Sequence, residues 1–295
     1  MPTIGKRLRK SVTLRACSHF TTFWLGTRLP DAVPLVFVVG YPKSGTTWVC
    51  QVVADYMQLP FPKGSILPVG CPAVVHGHET VWKSYRRGAY VLRDGRDTMA
   101  SLYFHMARRV PEGAAGAKLR KQWFGGGTDL LQNPRKHFAA FIDRQMHKPF
   151  AARVNWGDHV RTWLDNKNPH VALIGYEALL ADGVATLTSA VRAITGSDEV
   201  DPERARWAVE KFSFARQSGR KSGTEDRTTF LRKGKAGDWT NHFTREAAEI
   251  FDRHCGGALI DAGYAPDRSW VASCTDDLAP PAAPGPQPAA SGAGA

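Results

Sequence analysis

The sequence predicts one α/β domain with a central parallel sheet flanked by helices, on three observations. Short runs rich in β-branched and apolar residues, at 35–39, 88–92 and 171–176, alternate with longer stretches of helical periodicity. Strands separated by helices pair in parallel and need helices over both faces. At 295 residues, 43% hydrophobic and 22% charged, the chain has the length and composition of one large globular domain.

Taken in order, residues 1–30 carry Lys6, Arg7, Arg9, Lys10, Arg15 and Arg28 and no acid. Arg, Ser, His and Thr interrupt the apolar residues of 13–29, unlike the clean apolar core of a signal peptide. This segment reads as a basic arm, poorly structured or amphipathic. The run at 35–39 stops at Gly40, a polar turn follows, and helical periodicity occupies 48–57. The run at 88–92 ends at Arg93 and leads to a helix over 97–109, with Met99, Leu102, Tyr103 and Met106 at helical spacing. Residues 111–129, containing GAAGA and FGGG, read as a loop suited to a mobile lid. Helices are expected at 134–146 and 156–166, a strand at 171–176, and helices at 182–194, capped by Asp182, and at 202–212. A long polar loop covers 215–238 and a last helix 245–262. The chain thus divides into the arm (1–30), a domain (31–275) and a tail (276–295) whose Pro, Ala and Gly content leaves nothing to bury.

The net charge of +12 suits a polyanionic ligand or a nucleic acid. A nucleic-acid binder would interleave stacking aromatics with Lys and Arg or show a known module, and neither is evident, so no nucleic-acid partner is expected. No run of about 18 apolar residues occurs, so no membrane span is expected. The five cysteines lack CxxC spacing, which fits reduced thiols in a cytoplasmic protein.

The string LVFVVGYPKSGTTW at 35–48 is a strand, a tight polar turn and a helix start, the arrangement that cradles an anion. Gly45 lets the backbone approach closely, Lys43 brings a full charge, and Ser44, Thr46 and Thr47 bring hydroxyls. A nucleotide-triphosphate P-loop has its Lys directly after the second Gly. Here Lys43 precedes Gly45, which argues against a kinase holding Mg²⁺ on Asp94 or Asp97. Arg93, at a strand end, and Ser101, about two helical turns further on, offer a second anion site. Lys43, Arg93 and Tyr176 all fall at or near strand carboxyl ends, where open parallel sheets bind ligands.

Together these strings resemble the sulfotransferases that use 3′-phosphoadenosine 5′-phosphosulfate (PAPS), cytosolic-type and bacterial, whose fold is P-loop NTPase-like. PKSGTTW resembles the 5′-phosphosulfate loop, with Lys43, Ser44, Gly45, Thr46, Thr47 and Trp48. YVLRDGRDTMASLYFH (90–105) is similar to the 3′-phosphate motif, which implies that Arg93 and Ser101 bind that phosphate. TTFLRKGKAGDWTNHFT (228–244) resembles the RKGxxGDW segment, in which Arg232, Lys233 and Gly234 would fold over the nucleotide. IGYEALLAD (174–182) is similar to the Tyr-Glu segment, which implies that Tyr176 contacts adenine, with Trp48 a candidate to stack on the same base.

VVHGHET (74–80) resembles the bacterial His-Glu form of the catalytic segment, which implies that His78 is the general base. Many members carry Lys two residues earlier, where this chain has His76. The resemblance further implies that Lys43 bonds the bridging oxygen, that Ser101 holds Lys43 away until the acceptor arrives, and that no metal takes part. The donor would be PAPS and the acceptor a hydroxyl-bearing small molecule, lipid, sugar or natural product. Acceptor pockets in the family come from variable loops, here 60–75, 107–130 and 145–156. Phe61, Trp82, Phe104, Trp123, Phe124 and Phe150 are the candidate linings. The family's dimer segment aligns with Thr240, Thr244, Arg245 and Glu249. Its Lys and Val are missing, which leaves a homodimer open but argues against that mode.

Overall fold

Val36 and Val38 pack to one side of the first strand, and Leu35, Phe37 and Val39 to the other. In the computed structural model, which describes residues 12–80 and 82–277, this strand, β1 (Leu35–Gly40), is buried along its whole length. An unbroken apolar run is the signature of a strand covered on both faces. β1 lies between β2 (Ala73–Gly77) and β3 (Gly88–Leu92), and β4 (Val171–Gly175) pairs with β3. All three pairings are parallel. The register sets Val39 opposite Gly77, Gly40 opposite Val91, and Leu92 opposite Gly175, so all four carboxyl ends reach one rim.

The helices are α1 (Val12–Arg28), α2 (Thr46–Met57), α3 (Gly95–Ala107), α4 (Gly113–Phe124), α5 (Pro134–His147) and α6 (Trp156–Leu164). They continue with α7 (Tyr176–Ala181), α8 (Gly183–Thr195), α9 (Pro202–Lys211), α10 (Phe214–Ser218) and α11 (Arg245–Asp261). One core sets Val36, Val38, Val91 and Ile174 against Val49 and Val53 of α2 and Leu187 and Val191 of α8. The other sets Phe37, Val39 and Tyr90 against Met99 of α3, Phe141 of α5, Trp156 of α6 and Phe251 of α11. Each such large side chain contributes about 1.5–3 kcal/mol on burial.

Several expectations change. Within the expected arm, residues 12–28 form a helix rather than an unstructured segment. Its Phe23 meets Phe37 edge-on at 6.0 Å, and a Cβ on Gly26 would sit 2.7 Å from Leu35 Cδ1. The expected lid at 111–129 contains α4, whose Arg120 donates to the carbonyls of Pro111 (3.0 Å) and Gly113 (2.6 Å) while Phe124 anchors in the core. Phe104 and Phe124, taken as pocket linings, are each 1% exposed and are core residues. β2 is a strand not expected from the sequence. Tyr176, expected as the last residue of a strand, opens α7. Asp182 caps α8 as expected, accepting from Ala185 N at 3.0 Å. Thr244, in the dimer-like segment, is buried as the N-cap of α11, accepting from Ala247 N at 3.2 Å. Residues 1–11, the tail beyond 277 and the side chain of Trp82 lie outside the described residues.

β1 and β3 meet where β3 begins. A Cβ on Gly88 would lie 2.2 Å from the Phe37 carbonyl oxygen, a backbone atom that cannot rotate away. Gly88→Ala is therefore expected to destabilise the fold by about 3 kcal/mol or more, read as a lower midpoint in urea unfolding. An unchanged midpoint would contradict this packing.

Candidate active site

The rim of the sheet carries the chemistry. The turn after β1 holds Lys43 at φ 76 and Gly45 at φ 92. Left-handed backbone is unfavourable for a lysine by about 1–2 kcal/mol, so the turn is held by its surroundings. Gly45 is required for a second reason: a Cβ there would lie 2.5 Å from the Tyr176 ring. Arg93, directly after β3, donates from Nη1 to the Lys43 carbonyl at 3.1 Å and lies over the Tyr176 ring, 4.2 Å from its centroid. Trp48 meets the same ring edge-on at 5.7 Å.

These groups border a cavity of about 650 Å³ together with Ser101, His76 and His78. Its lining includes Lys43, Lys63, Arg93, Arg109, Arg232, Lys233 and Lys235 and no Asp or Glu. Ser44 Oγ, Thr46 Oγ1, Trp48 Nε1 and Arg93 Nε are buried with no hydrogen-bond partner. Buried donors without partners are costly, and here they mark a site built for an acceptor-rich ligand. Burial, and after it the charges of Arg108, Arg93, Arg109 and Lys63, pulls Lys43 down to about 7.

The neighbouring acids are engaged elsewhere. Asp94 pairs with Arg96 at 2.7 Å, and Asp97 accepts from the backbone N–H groups of Gly237 (2.6 Å) and Trp239 (2.8 Å). Arg96 then lies over the Trp239 ring at 4.0 Å. The RDGRD segment thereby anchors the GDW segment, a link between two motifs that the sequence alone did not show. Arg93 forms no ion pair with either Asp.

His78 follows β2 and borders the cavity beside His76, with ring centroids 4.6 Å apart. Its Nδ1 lies 2.5 Å from the Gly40 carbonyl oxygen. A carbonyl can only accept, so Nδ1 carries the proton and Nε2 keeps its lone pair. Burial holds the His78 imidazole below its usual range, and His76 falls to about 3 for the same reason, with His78 and Lys63 adding to the effect. The backbone here is fixed from behind: the His78 carbonyl meets His159 Nε2 at 3.1 Å, and the Glu79 carbonyl accepts from Trp163 Nε1 at 2.9 Å. Glu79 itself pairs with His19 of α1 and accepts from the Tyr85 hydroxyl at 3.2 Å.

Some expected roles are not seen. Ser101 makes no hydrogen bond to Lys43; the ammonium lies instead over the Phe230 ring, 3.7 Å from its centroid. Arg232 and Lys233 border the cavity with Gly234, but their charges meet Asp238 and Glu225. Burial, with His78 and Lys63 nearby, disfavours a cationic His76 at the position where many family members carry Lys. Lys63, which the sequence did not single out, donates to the Thr47 hydroxyl at 3.2 Å from the opposite wall. Phe61 borders a second cavity, Phe150 the first, and Trp123 packs edge-on against Phe150 at 6.2 Å. Glu225, Asp238 and His242 converge within 4.8 Å, a metal-like grouping, but a divalent ion would have to displace both Arg232 and Lys233. Among the described residues no helix is long and apolar enough to cross a membrane.

Comparison with known proteins identifies the family. Residues 73–263 match the family described as Sulfotransferase domain, and the chain belongs to that family, the PAPS-dependent class its motifs resemble. It is 26% identical over 271 residues to the 3-alpha-hydroxysteroid sulfotransferase of Cavia porcellus, covering 79% of this chain and 85% of that one. Sulfotransferase 2A2 of Mus musculus is 25% identical over 256 residues, covering 74% and 81%. Mouse sulfotransferase SULT7A1 complexed with PAP shares the fold at a TM-score of 0.53, with 23% identity over 81% of this chain and 88% of that chain. The parallel α/β architecture is therefore that of a P-loop-like sulfotransferase.

The protonation state of His78 is directly observable. ¹⁵N-resolved NMR is expected to show the Nδ1-H tautomer at neutral pH and protonation of the imidazole only below the ordinary histidine range. Protonation at or above the ordinary histidine range would contradict the geometry.

Proposed function

We propose that this sulfotransferase moves the sulfonate of PAPS to an acceptor hydroxyl by in-line displacement, with His78 as general base. The observation that carries the reading is a cavity lined by seven Lys and Arg residues and no acid, with four buried donors unpartnered around Lys43 and Arg93. A nucleotide bearing a phosphosulfate and a second phosphate supplies what those donors lack. In this reading Ser44, Gly45, Thr46 and Thr47 hold the 5′-phosphosulfate, and Arg93 and Ser101 hold the 3′-phosphate. The Arg93 fork suits two phosphate oxygens at once. Tyr176 and Trp48 flank the base.

The acceptor oxygen forms a bond to sulfur as the bond from sulfur to the bridging oxygen breaks. His78 Nε2 takes the hydroxyl proton, and the electron pair passes to the 5′-phosphate, where Lys43 stabilises it. Lys63, which donates to the Thr47 hydroxyl, adds a further cation beside the loop. Donor binding displaces Phe230 from Lys43 and draws Arg232 and Lys233 from their acidic partners. A cytoplasmic setting belongs to the same reading, supported by the buried free thiols Cys50, Cys255 and Cys274.

His78→Ala is expected to lower turnover by roughly 10²–10⁴-fold while the protein still binds adenosine 3′,5′-bisphosphate. Turnover within a few-fold of the parent would remove His78 as base. Arg93→Ala is expected to weaken the bisphosphate by about ten- to a hundred-fold in calorimetry, and Arg232→Ala by less, because its guanidinium leaves an ion pair to bind. Unchanged affinity in both would end the 3′-phosphate assignment.

Lys43 makes binding pH-dependent. Its value near 7 in the free protein rises when a phosphate dianion sits beside it. Below that pH both states hold the proton and affinity is full. Above it, affinity falls by up to about ten-fold per pH unit until the bound-state value is passed. Bisphosphate titrations from pH 6 to 9 read this slope, and Lys43→Met should flatten it.

A further inference from the structure

A second cavity, of about 740 Å³, adjoins the first and shares Lys63, His76, His78 and Ala151 with it. It opens between α1, the 61–69 loop and the 151–153 turn. Its walls are mostly apolar, with Phe61, Val69, Val74 and Val75 among them. That volume holds a molecule of drug or lipid-fragment size. The proposed base stands where the two cavities meet, so this one would receive the acceptor.

The charges of the second cavity are one-sided. Arg15, Lys63 and Arg153 border it against a single acid, Glu79, which is already engaged by His19 and Tyr85. Lys63 turns to Thr47 on the donor side. That leaves Arg15 and Arg153, both exposed and neither with an acidic partner among the described residues. Arg15 does not trail into solvent: a Cβ on Gly64 would lie 3.0 Å from its Nη2, so the guanidinium lies against the loop. Arg153 follows Ala151, whose φ of 58 is unusual for a residue with a side chain and fixes the turn. Two like charges at one mouth repel each other, and an anion between them relieves this.

We propose that the acceptor is an apolar alcohol or phenol carrying an anionic group, a carboxylate or a phosphate monoester. The anion is held by Arg15 and Arg153 while the hydroxyl meets His78. This inference rests on the sulfotransferase reading for the identity of the reaction, but the anion site stands on its own geometry. α1, from the segment expected to be an arm, thereby becomes part of the acceptor pocket and sets its selectivity.

The test compares 12-hydroxydodecanoic acid, its methyl ester and 12-hydroxydodecyl phosphate as acceptors with PAPS. Either anion is expected to exceed the ester in kcat/KM by about ten-fold, mainly through KM. The Arg15→Ala/Arg153→Ala double variant should bring that ratio near unity, while Arg15→Lys/Arg153→Lys keeps most of it. Thermal stabilisation by adenosine 3′,5′-bisphosphate confirms that each variant is folded. Equal kcat/KM for acid and ester in the parent, or an undiminished ratio in the double Ala variant, overturns the proposal. If no acceptor turns over, calorimetry on the bisphosphate-saturated protein reads the same contrast. Tighter anion binding that disappears in the double Ala variant then upholds the anion site while removing these alcohols as acceptors, and equal binding overturns the proposal.

Discussion

The hydrogen bond from His78 Nδ1 to the Gly40 carbonyl is the contact on which the site depends. Gly40 is the last residue of β1 and the first support of the anion loop; His78 is the first residue beyond β2. One bond therefore sets the distance between the loop and the proposed base, fixes the tautomer and leaves Nε2 with its lone pair. It exists because the register places Val39 opposite Gly77, so both chains leave the sheet at the same level. The layers behind it, His159 on Tyr90 at 2.9 Å and Trp163 on Glu79, keep that level from shifting.

The second determinant is the concentration of like charge. Lys43, Lys63, Arg93 and Arg109 converge with no acid in the wall, and the protein meets that cost in two ways. Lys43 gives up much of its hold on the proton and lies on the Phe230 ring. Arg232 and Lys233 are neutralised by Asp238 and Glu225 on a loop of their own. Like charges held this close repel, and an anion among them would relieve the repulsion. Preference for a polyanion would follow from this concentration of charge, with Tyr176 and Trp48 left to meet the base in the proposed reading.

What was legible in the sequence followed from local chemistry. β1, β3 and β4 declared themselves as apolar runs, and the anion loop and Arg93 as strand-end residues. β2 did not, because AVVHG is short and its histidine breaks the apolar signal, while its burial comes from pairing with β1. α4 was hidden by the glycines of GAAGA, which Arg120 and Phe124 overrule through contacts with neighbouring segments. Lys63, Phe230 and the His19–Glu79 pair carry no local signal, since each acquires its role from a partner far along the chain. Ser101 and Arg232 border the cavity that holds Lys43 and Arg93, but their side-chain partners depend on conformations that a motif does not specify.

β2 is five residues long and lies at the margin of the sheet, paired along one side with β1 and tied on the other by the Val74 N–H to the Pro60 carbonyl at 2.9 Å. Its Ala73 and Val74 are fully buried, one in each core, while Val75, His76 and His78 beyond them are half-buried, so the strand that delivers the proposed base is anchored at its amino end. Amide protons near Gly77, beyond that anchor, would exchange at a lower free energy than those of the central strand at 35–40. Fraying at the Gly77 end would disengage the imidazole from Gly40 before either core opens. The His159 and Trp163 contacts with the carbonyls of His78 and Glu79 oppose it directly.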